Sequence, residues 1–379
     1  MSKAIKVATI IGARPQFIKA SAVSRAFARY NSRSGKKGLT ERIIHTGQHY
    51  DDNMSKAFFE ELDIPQPDYN LGVGSGTHAS QTAVMLERIE EVLLREKPDM
   101  AIVHGDTNST LAGALSAVKL QIPVAHVEAG LRSFNRRMAE EINRVLADRV
   151  SVMLFCPTPI AVQNLNAEGI TAGVYEVGDV MYDSALFYRE KAGVIESDLL
   201  AGFGIEPKSY FLATVHRAEN TDDAERLGGI LKGLGDISTA ANPTVLPLHP
   251  RTKKMVAELG LSASEHVRIL EPASYLQMIA LEANAKAVLT DSGGVQKEAY
   301  IFSVPCITLR DETEWVETVE AGWNVLVGSD SEKIITAVAR IDGKTRAERK
   351  SFYGDGRAAE RICEIISNSQ TLMPRGGAR

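Results

Sequence analysis

At 379 residues the chain exceeds what one ordinary core fills, and two domains of roughly 150 to 200 residues each are expected. With 44% hydrophobic and 24% charged residues the composition excludes a disordered or fibrous chain, and a net charge of −5 argues against a nucleic-acid partner. The cysteines Cys156, Cys306 and Cys363 lack CxxC spacing, so they read as reduced structural thiols rather than a zinc or redox site.

The first apolar run ends within about seven residues at Gly12-Ala13-Arg14-Pro15, too short for a signal sequence or a membrane span. It reads as the first strand of a cytoplasmic protein. Further β-branched runs follow at Arg42–Thr46, Met100–His104, Pro123–Val127 and Val152–Cys156, separated by amphipathic segments such as Ala79–Arg95. That alternation predicts βαβ units and a parallel sheet. After a polar, less patterned stretch over Ser184–Lys208 the rhythm restarts, with strands at Tyr210–Val215, Val245–Leu248, Val267–Leu270, Ala287–Thr290 and Cys306–Leu309. Two Rossmann-like domains are expected, residues 1–180 and 181–350, with 351–379 adding a helix over Arg357–Ile366 that packs on either one. The Gly-rich end over residues 373–377 is expected to fray.

Parallel sheets bind ligands at the carboxyl ends of their strands, and nearly every polar motif falls there. Gly12-Ala13-Arg14-Pro15 follows the first strand, with Pro15 suited to a first helical turn, so Arg14 and Lys19 are candidates to face a diphosphate. A plain βα turn with two solvated bases explains the same residues. Asp106 and Glu128 end two neighbouring apolar strands in His104-Gly105-Asp106-Thr107 and His126-Val127-Glu128-Ala129-Gly130. Glu140 and Glu141 stand at a helix start, where an i,i+4 pair from Glu140 to Arg144 is the plainer reading. Carboxylates crowded into one site raise one another's pKa, which suits general acid or base work near neutral pH. His216, ending the first strand of the second half, is a proton-transfer or diphosphate-contact candidate. Thr290-Asp291-Ser292-Gly293-Gly294 is a strand, a turn and a helix start, which aims backbone N–H groups at an anion. Glu298, one turn on, is placed to accept from ribose hydroxyls. The turn lacks GxGxxG and GxxxxGK[ST], so NAD and ATP are poorly supported. His49-Tyr50-Asp51-Asp52 and His104-Gly105-Asp106 are common loop compositions rather than metal sites.

These motifs in this order, with His126-Val127-Glu128-Ala129-Gly130-Leu131-Arg132, Glu140-Glu141-Ile142-Asn143-Arg144 and Tyr353-Gly354-Asp355-Gly356, resemble the non-hydrolysing UDP-N-acetylglucosamine 2-epimerases over essentially the whole chain. The resemblance implies a glycosyltransferase-B-like α/β fold of two Rossmann domains with the active site in the interdomain cleft, a homodimer, and no NAD, metal or other cofactor. It implies interconversion of UDP-GlcNAc and UDP-ManNAc by elimination of UDP to a 2-acetamidoglucal and re-addition. By the same resemblance, Asp106, Glu128 and Glu140 are the acid/base carboxylates and His216 assists them. Arg14, Lys19, Arg144, Ser292, Gly293, Gly294 and Glu298 hold the substrate, and the Ala273–Met278 loop flanks uracil. Two departures bear on the substrate. Glu314-Trp315-Val316-Glu317 stands where bacterial UDP-GlcNAc enzymes carry Glu-Arg-Pro-Glu, and Ser55 lies near the place of a Gln tied to an allosteric site. They draw the chain towards a sister group that resembles the 2-epimerases of UDP-2,3-diacetamido-2,3-dideoxy-glucuronate, which serve O-antigen synthesis. A uronate would want a cation near C6, for which Arg136, Arg137 and Arg217 are candidates. A UDP-sugar glycosyltransferase of the same fold is the reading from another class.

Overall fold

The computed structural model describes residues 4–34, 38–48, 56–248, 250–260, 264–341 and 348–369. His49 to Asp52, Ser55 and the end over 373–377 lie outside the described residues. The chain forms two compact units, one of residues 1–184 with 352–379 and one of residues 185–351.

The first unit runs β1 (Ile5–Ile11), α1 (Arg14–Ser34), β2 (Leu39–His45), α2 (Lys56–Leu62), β3 (Tyr69–Asn70), α3 (His78–Glu96), β4 (Met100–His104), α4 (Asn108–Lys119), β5 (Val124–Val127), α5 (Ala139–Val150), β6 (Met153–Cys156), α6 (Pro159–Ala167), β7 (Val174–Glu176) and the start of α7 (Val180–Ala192). Its seven strands are ordered β3-β2-β1-β4-β5-β6-β7 and every pairing is parallel. Strands covered on both faces read as continuous apolar runs rather than alternating ones, and β4 is buried at all five positions. The direction in which successive strands are added to the sheet reverses between β1 and β4, so their carboxyl ends open a crevice there.

The second unit carries α8 (Glu196–Gly202), β8 (Phe211–Thr214), α9 (Ala218–Thr221), α10 (Ala224–Ile237), β9 (Thr244–Pro247), α11 (Pro250–Glu258), β10 (Val267–Leu270), α12 (Tyr275–Asn284), β11 (Ala287–Thr290), α13 (Gly293–Ile301), β12 (Cys306–Thr308), α14 (Val316–Glu320), β13 (Asn324–Leu326) and α15 (Ser331–Ile341). Its six parallel strands repeat the scheme as β10-β9-β8-β11-β12-β13, with the reversal between β8 and β11.

The stretch read as polar and unpatterned is helical: α7 and α8 occupy most of it. Ala185, Tyr188 and Ala192 of α7 are fully buried, while Leu186 beside them is exposed, so no clean apolar stripe advertises the helix. The last helix, α16 (Ala358–Ser367), packs in the first unit, where Ile362, Cys363 and Ile366 join Ala26 and Phe27 of α1 in one core cluster. Asp183 caps it by accepting from the N–H groups of Ala358 and Ala359 at 3.2 and 2.7 Å. Burial pushes that carboxyl up to about 6 despite the two bonds.

Candidate active site

In the first unit the turn after β1 is shaped by Gly12 and Gln16. A Cβ on Gly12 would stand 1.9 Å from Ser109 Oγ and 2.3 Å from Thr46 Oγ1, so only glycine fits. Gln16 Oε1 accepts from the N–H groups of Gly12 and Ala13 at 2.7 and 3.0 Å, and its amide donates to the His104 carbonyl at 2.6 Å. This buried amide ties the start of α1 to the end of β4. Arg14 opens α1, half-buried, with Pro15 next to it in the first turn.

Lys19, one turn further, donates to Glu128 Oε2 at 2.6 Å. Only 4% of the Glu128 side chain is exposed, against 20% for Lys19. Burial alone would lower the lysine, but Glu128, then Asp106 and Asp179, hold the ammonium above its ordinary value. Lys19 was expected to face a diphosphate; its first commitment is to the candidate acid/base carboxylate. Glu128 itself has φ of +70°, a left-handed conformation uncommon outside glycine, at the turn just past β5. Such strain persists where the surroundings over-determine it and clusters at working sites. A Cβ on Gly105 would lie 3.3 Å from Glu128 Oε2, so the turns after β4 and β5 meet at this carboxylate.

Asp106 accepts from Arg144 Nη2, and its carbonyl accepts from Asn143 Nδ2 at 3.0 Å. The second turn of α5 is therefore fastened to the turn after β4. The i,i+4 pair from Glu140 to Arg144 does not form. Arg144 instead reaches Glu141 at 3.0 Å, and Glu141 is buried under donors from Ser133 N, Ser133 Oγ and Phe134 N at 2.9, 2.9 and 3.0 Å. Glu141 thus closes the loop before α5, while Glu140 beside it is exposed and makes no ion pair among the described residues. Arg136 and Arg137 on the same loop are exposed.

Beneath this turn lies a buried pair not singled out from sequence, His126 and Asp148, with Nδ1 and Oδ1 2.6 Å apart. A histidine inside the apolar run Val124–Val127 was the available signal, because a buried polar side chain requires a partner. The neighbouring His104 is driven down to about 3, first by burial and then by the charges of Lys19 and His126, so its ring stays neutral.

In the second unit Asp291, fully buried at the end of β11, accepts from the N–H groups of His216 and Arg217 at 3.1 and 3.0 Å and from Asn220 Nδ2 at 3.1 Å. His216 Nδ1 also lies 3.2 Å from Asp291 Oδ1, with half the ring in solvent. A proton on Nδ1 facing this carboxylate leaves Nε2 outward as a base or, once protonated, an acid. Asp291 is the orienting partner of the histidine, legible only as a neighbour of the Ser-Gly-Gly turn.

Ser292 caps α13, its side chain accepting from Val295 N. The N–H groups of Gly293 and Gly294 follow in the first turn, where no intrahelical acceptor exists, and the helix dipole points the same way. A Cβ on Gly293 would stand 2.2 Å from Glu314 Oε1. Trp315, noted for replacing an arginine, braces this turn: Nε1 donates to the Gly293 carbonyl at 2.8 Å and the ring lies 4.1 Å beneath the Lys297 ammonium. Cations are therefore supplied nearby by Lys297 and by Arg310, which pairs with Glu314 at 2.9 Å. Glu298 is buried and accepts from Tyr275 Oη at 2.7 Å. Beside it Glu282 is almost wholly buried, and burial together with the Glu298 charge raises its carboxyl well above the ordinary value. The Ala273–Met278 segment is mostly helix rather than loop: Ser274 caps α12 in a capping box with Gln277, and Met278 packs against a core cluster.

Known proteins resemble the chain along nearly its whole length. Residues 32–367 match the family model described as UDP-N-acetylglucosamine 2-epimerase. The chain is 51% identical over 370 residues to a UDP-2,3-diacetamido-2,3-dideoxy-D-glucuronate 2-epimerase of Pseudomonas aeruginosa, covering 96% of this chain and 99% of that one. It is 48% identical over 371 residues to a UDP-N-acetylglucosamine 2-epimerase of Methanocaldococcus jannaschii, covering 96% and 99%. The crystal structure of the latter in complex with UDP-GlcNAc and UDP superposes with a TM-score of 0.84, covering 96% of this chain and all of that one. A Neisseria meningitidis UDP-GlcNAc 2-epimerase bound to UDP-GlcNAc, 31% identical, gives 0.85 over 96% and 100%. With two parallel Rossmann-like sheets and these similarities over nearly its whole length, the chain belongs to the UDP-N-acetylglucosamine 2-epimerase family, isomerases acting on UDP-sugars.

Proposed function

We propose that this enzyme interconverts UDP-GlcNAc and UDP-ManNAc without hydrolysing them. The observation that carries the reading is the junction of Asp106 and Glu128 on neighbouring strand ends around the Lys19 ammonium. Inverting C2 requires a proton to leave one face of the sugar and another to arrive on the opposite face, so one carboxylate is not enough. A base takes the C2 proton, the C–H electron pair forms the C1–C2 double bond, and the C1–O pair departs with UDP. Return of the UDP oxygen to C1 and delivery of a proton to the other face of C2 complete the epimerisation. Asp106, Glu128 and Glu140 are the proton carriers in this scheme. The Gly293 and Gly294 N–H groups, with Ser292 and Lys297, offset the charge on the departing diphosphate, and His216, oriented by Asp291, assists it. Arg14, Arg144 and Glu298 complete the substrate contacts, with Ala273 and Met278 on the uracil side.

Turnover of UDP-GlcNAc in deuterated water should place deuterium at C2 of the recovered nucleotide sugar. Transfer of the sugar to an added acceptor without exchange would instead support a glycosyltransferase, and accumulation of free ManNAc would mark a hydrolysing enzyme. Glu128→Gln and His216→Ala are each expected to lower turnover by roughly 10² or more while the fold survives.

A second reading, favoured by the 51% identity to the Pseudomonas enzyme and by Trp315 in place of arginine, is epimerisation of UDP-2,3-diacetamido-2,3-dideoxy-glucuronate. Side-by-side assay of the two nucleotide sugars decides between them. A homodimer and a cytoplasmic setting belong to the same proposal, tested by sedimentation velocity and by fractionation. No helix among the described residues is long and apolar enough to cross a membrane.

A further inference from the structure

His126 is fully buried in β5, and both of its ring nitrogens face acceptors: Asp148 Oδ1 lies 2.6 Å from Nδ1 and the Gly105 carbonyl 2.6 Å from Nε2. A neutral imidazole has one N–H and could serve only one of them, so both bonds together require the imidazolium. Burial alone would lower the ring's pKa; the Asp148 carboxylate, the Gly105 carbonyl and the more distant Glu128 raise it overall. Of the other ionisable neighbours, His104 on β4 stays neutral. Asp148 is itself fixed by the Gly130 N–H at 3.1 Å and by Arg132 at 2.7 Å, and Arg132 is forked onto Glu168 at 2.7 and 2.9 Å. The chain of contacts therefore starts at an anchored ion pair and ends on a backbone carbonyl.

That carbonyl belongs to a residue with φ of +62°, in the turn that presents Asp106. The Gly105 N–H donates to the Val127 carbonyl at 3.0 Å, so β5 holds the residue by both of its backbone groups. Asn143 and Arg144 grip Asp106 from α5.

We infer that His126, as an imidazolium anchored by Asp148, is a positioning residue that clamps the Gly105 carbonyl and so fixes the direction of the Asp106 carboxylate. The inference rests on the reading of Asp106 as a proton carrier. Misplacing a catalytic group by about 1 Å costs on the order of 10² in rate, whereas affinity for UDP depends on the Ser292 turn of the other unit.

The test is His126→Ala in the full chain, assayed for kcat and KM with UDP-GlcNAc, for Kd of UDP by calorimetry, and for folding by circular dichroism. The expected result is a fall in kcat of about 10²-fold with Kd for UDP unchanged, reversed in part by added imidazole, which fits the vacated space. A folded His126→Ala enzyme with the parent kcat would overturn the inference, as would a loss that imidazole leaves untouched. Should His126→Ala fail to fold, the ring ¹⁵N shifts of the parent enzyme decide: both nitrogens protonated supports the clamp, and a neutral ring refutes it. Asp106→Asn separates the two levels. Full activity in that variant removes the acid/base reading, whereas an inactive Asp106→Asn beside a fully active His126→Ala removes this inference alone.

Discussion

Replacing Lys19 by Met tests the Lys19–Glu128 pair, because methionine keeps the apolar stem and removes only the ammonium. Glu128, with 4% of its side chain in solvent, then loses the Lys19 ammonium. Two routes are open to it. Staying charged carries the penalty of a broken buried pair, about 3–5 kcal/mol. Taking a proton at pH 7 costs a carboxyl of ordinary acidity about 3.7 kcal/mol, from 2.7 pH units at about 1.36 kcal/mol each. The expected destabilisation at pH 7 is thus about 3–4 kcal/mol, set by the cheaper route. At pH 5 the protonation route costs only about 1 kcal/mol, so the deficit shrinks on acidification. Hydrogen exchange of peptides spanning β1 and β5, read by mass spectrometry and corrected for intrinsic rates, is the appropriate assay. The double variant Lys19→Met/Glu128→Gln should recover most of the loss at pH 7. A deficit of the same size at pH 5 and pH 7, or one below about 1 kcal/mol at pH 7, would refute the reasoning.

Glu140 and Glu141, adjacent in sequence, should separate cleanly. Glu140→Gln is expected to lower turnover by about 10² with stability changed by less than about 0.5 kcal/mol, while Glu141→Gln, which disturbs three donors from Ser133 and Phe134, should speed exchange across residues 131–138. Trp315→Ala should weaken UDP binding about tenfold by calorimetry, through loss of the bond to Gly293 and of the Lys297 stack, with the carboxylates of the first unit untouched. The ion pair beneath the Asp106 turn predicts a bounded pH window. His126 is raised in the folded state, so its contribution is full below about 6.5 and fades as pH climbs through the raised value. Asp148 is held below its ordinary 3.8, mainly by His126 and Arg132 against the effect of burial, so its contribution is present above that pH and fades as pH falls through the lower folded value. Exchange protection of β5 should therefore decline on both sides, and His126→Gln should flatten the alkaline decline.

Much of the fold was legible because it follows from rules that act over a few residues. Runs of β-branched residues mark β1, β4, β5 and β11 to within a residue or two, and the 3.6-residue spacing over Ala79–Arg95 marks α3. The strands β3, β7 and β13 were not legible: each spans only two or three residues, and each exists because a neighbouring strand offers it a ladder. Helix α7 escaped for a different reason, its buried residues giving no single stripe. At the site, local chemistry was enough to foresee the strand, turn and helix start around Ser292-Gly293-Gly294, which the structure forms as β11 and α13 and which we propose as the diphosphate site. It was also enough to place Asp106 and Glu128 at strand ends. What sequence alone could not decide was pairing. Lys19 meets Glu128 across 109 positions, His126 meets Asp148 across 22, and Arg144 passes over Glu140 for Asp106, 38 residues earlier. Those choices depend on the order in which β1, β4 and β5 lie side by side and on where α5 docks. Strand order is a property of the assembled sheet, and no local spacing encodes it.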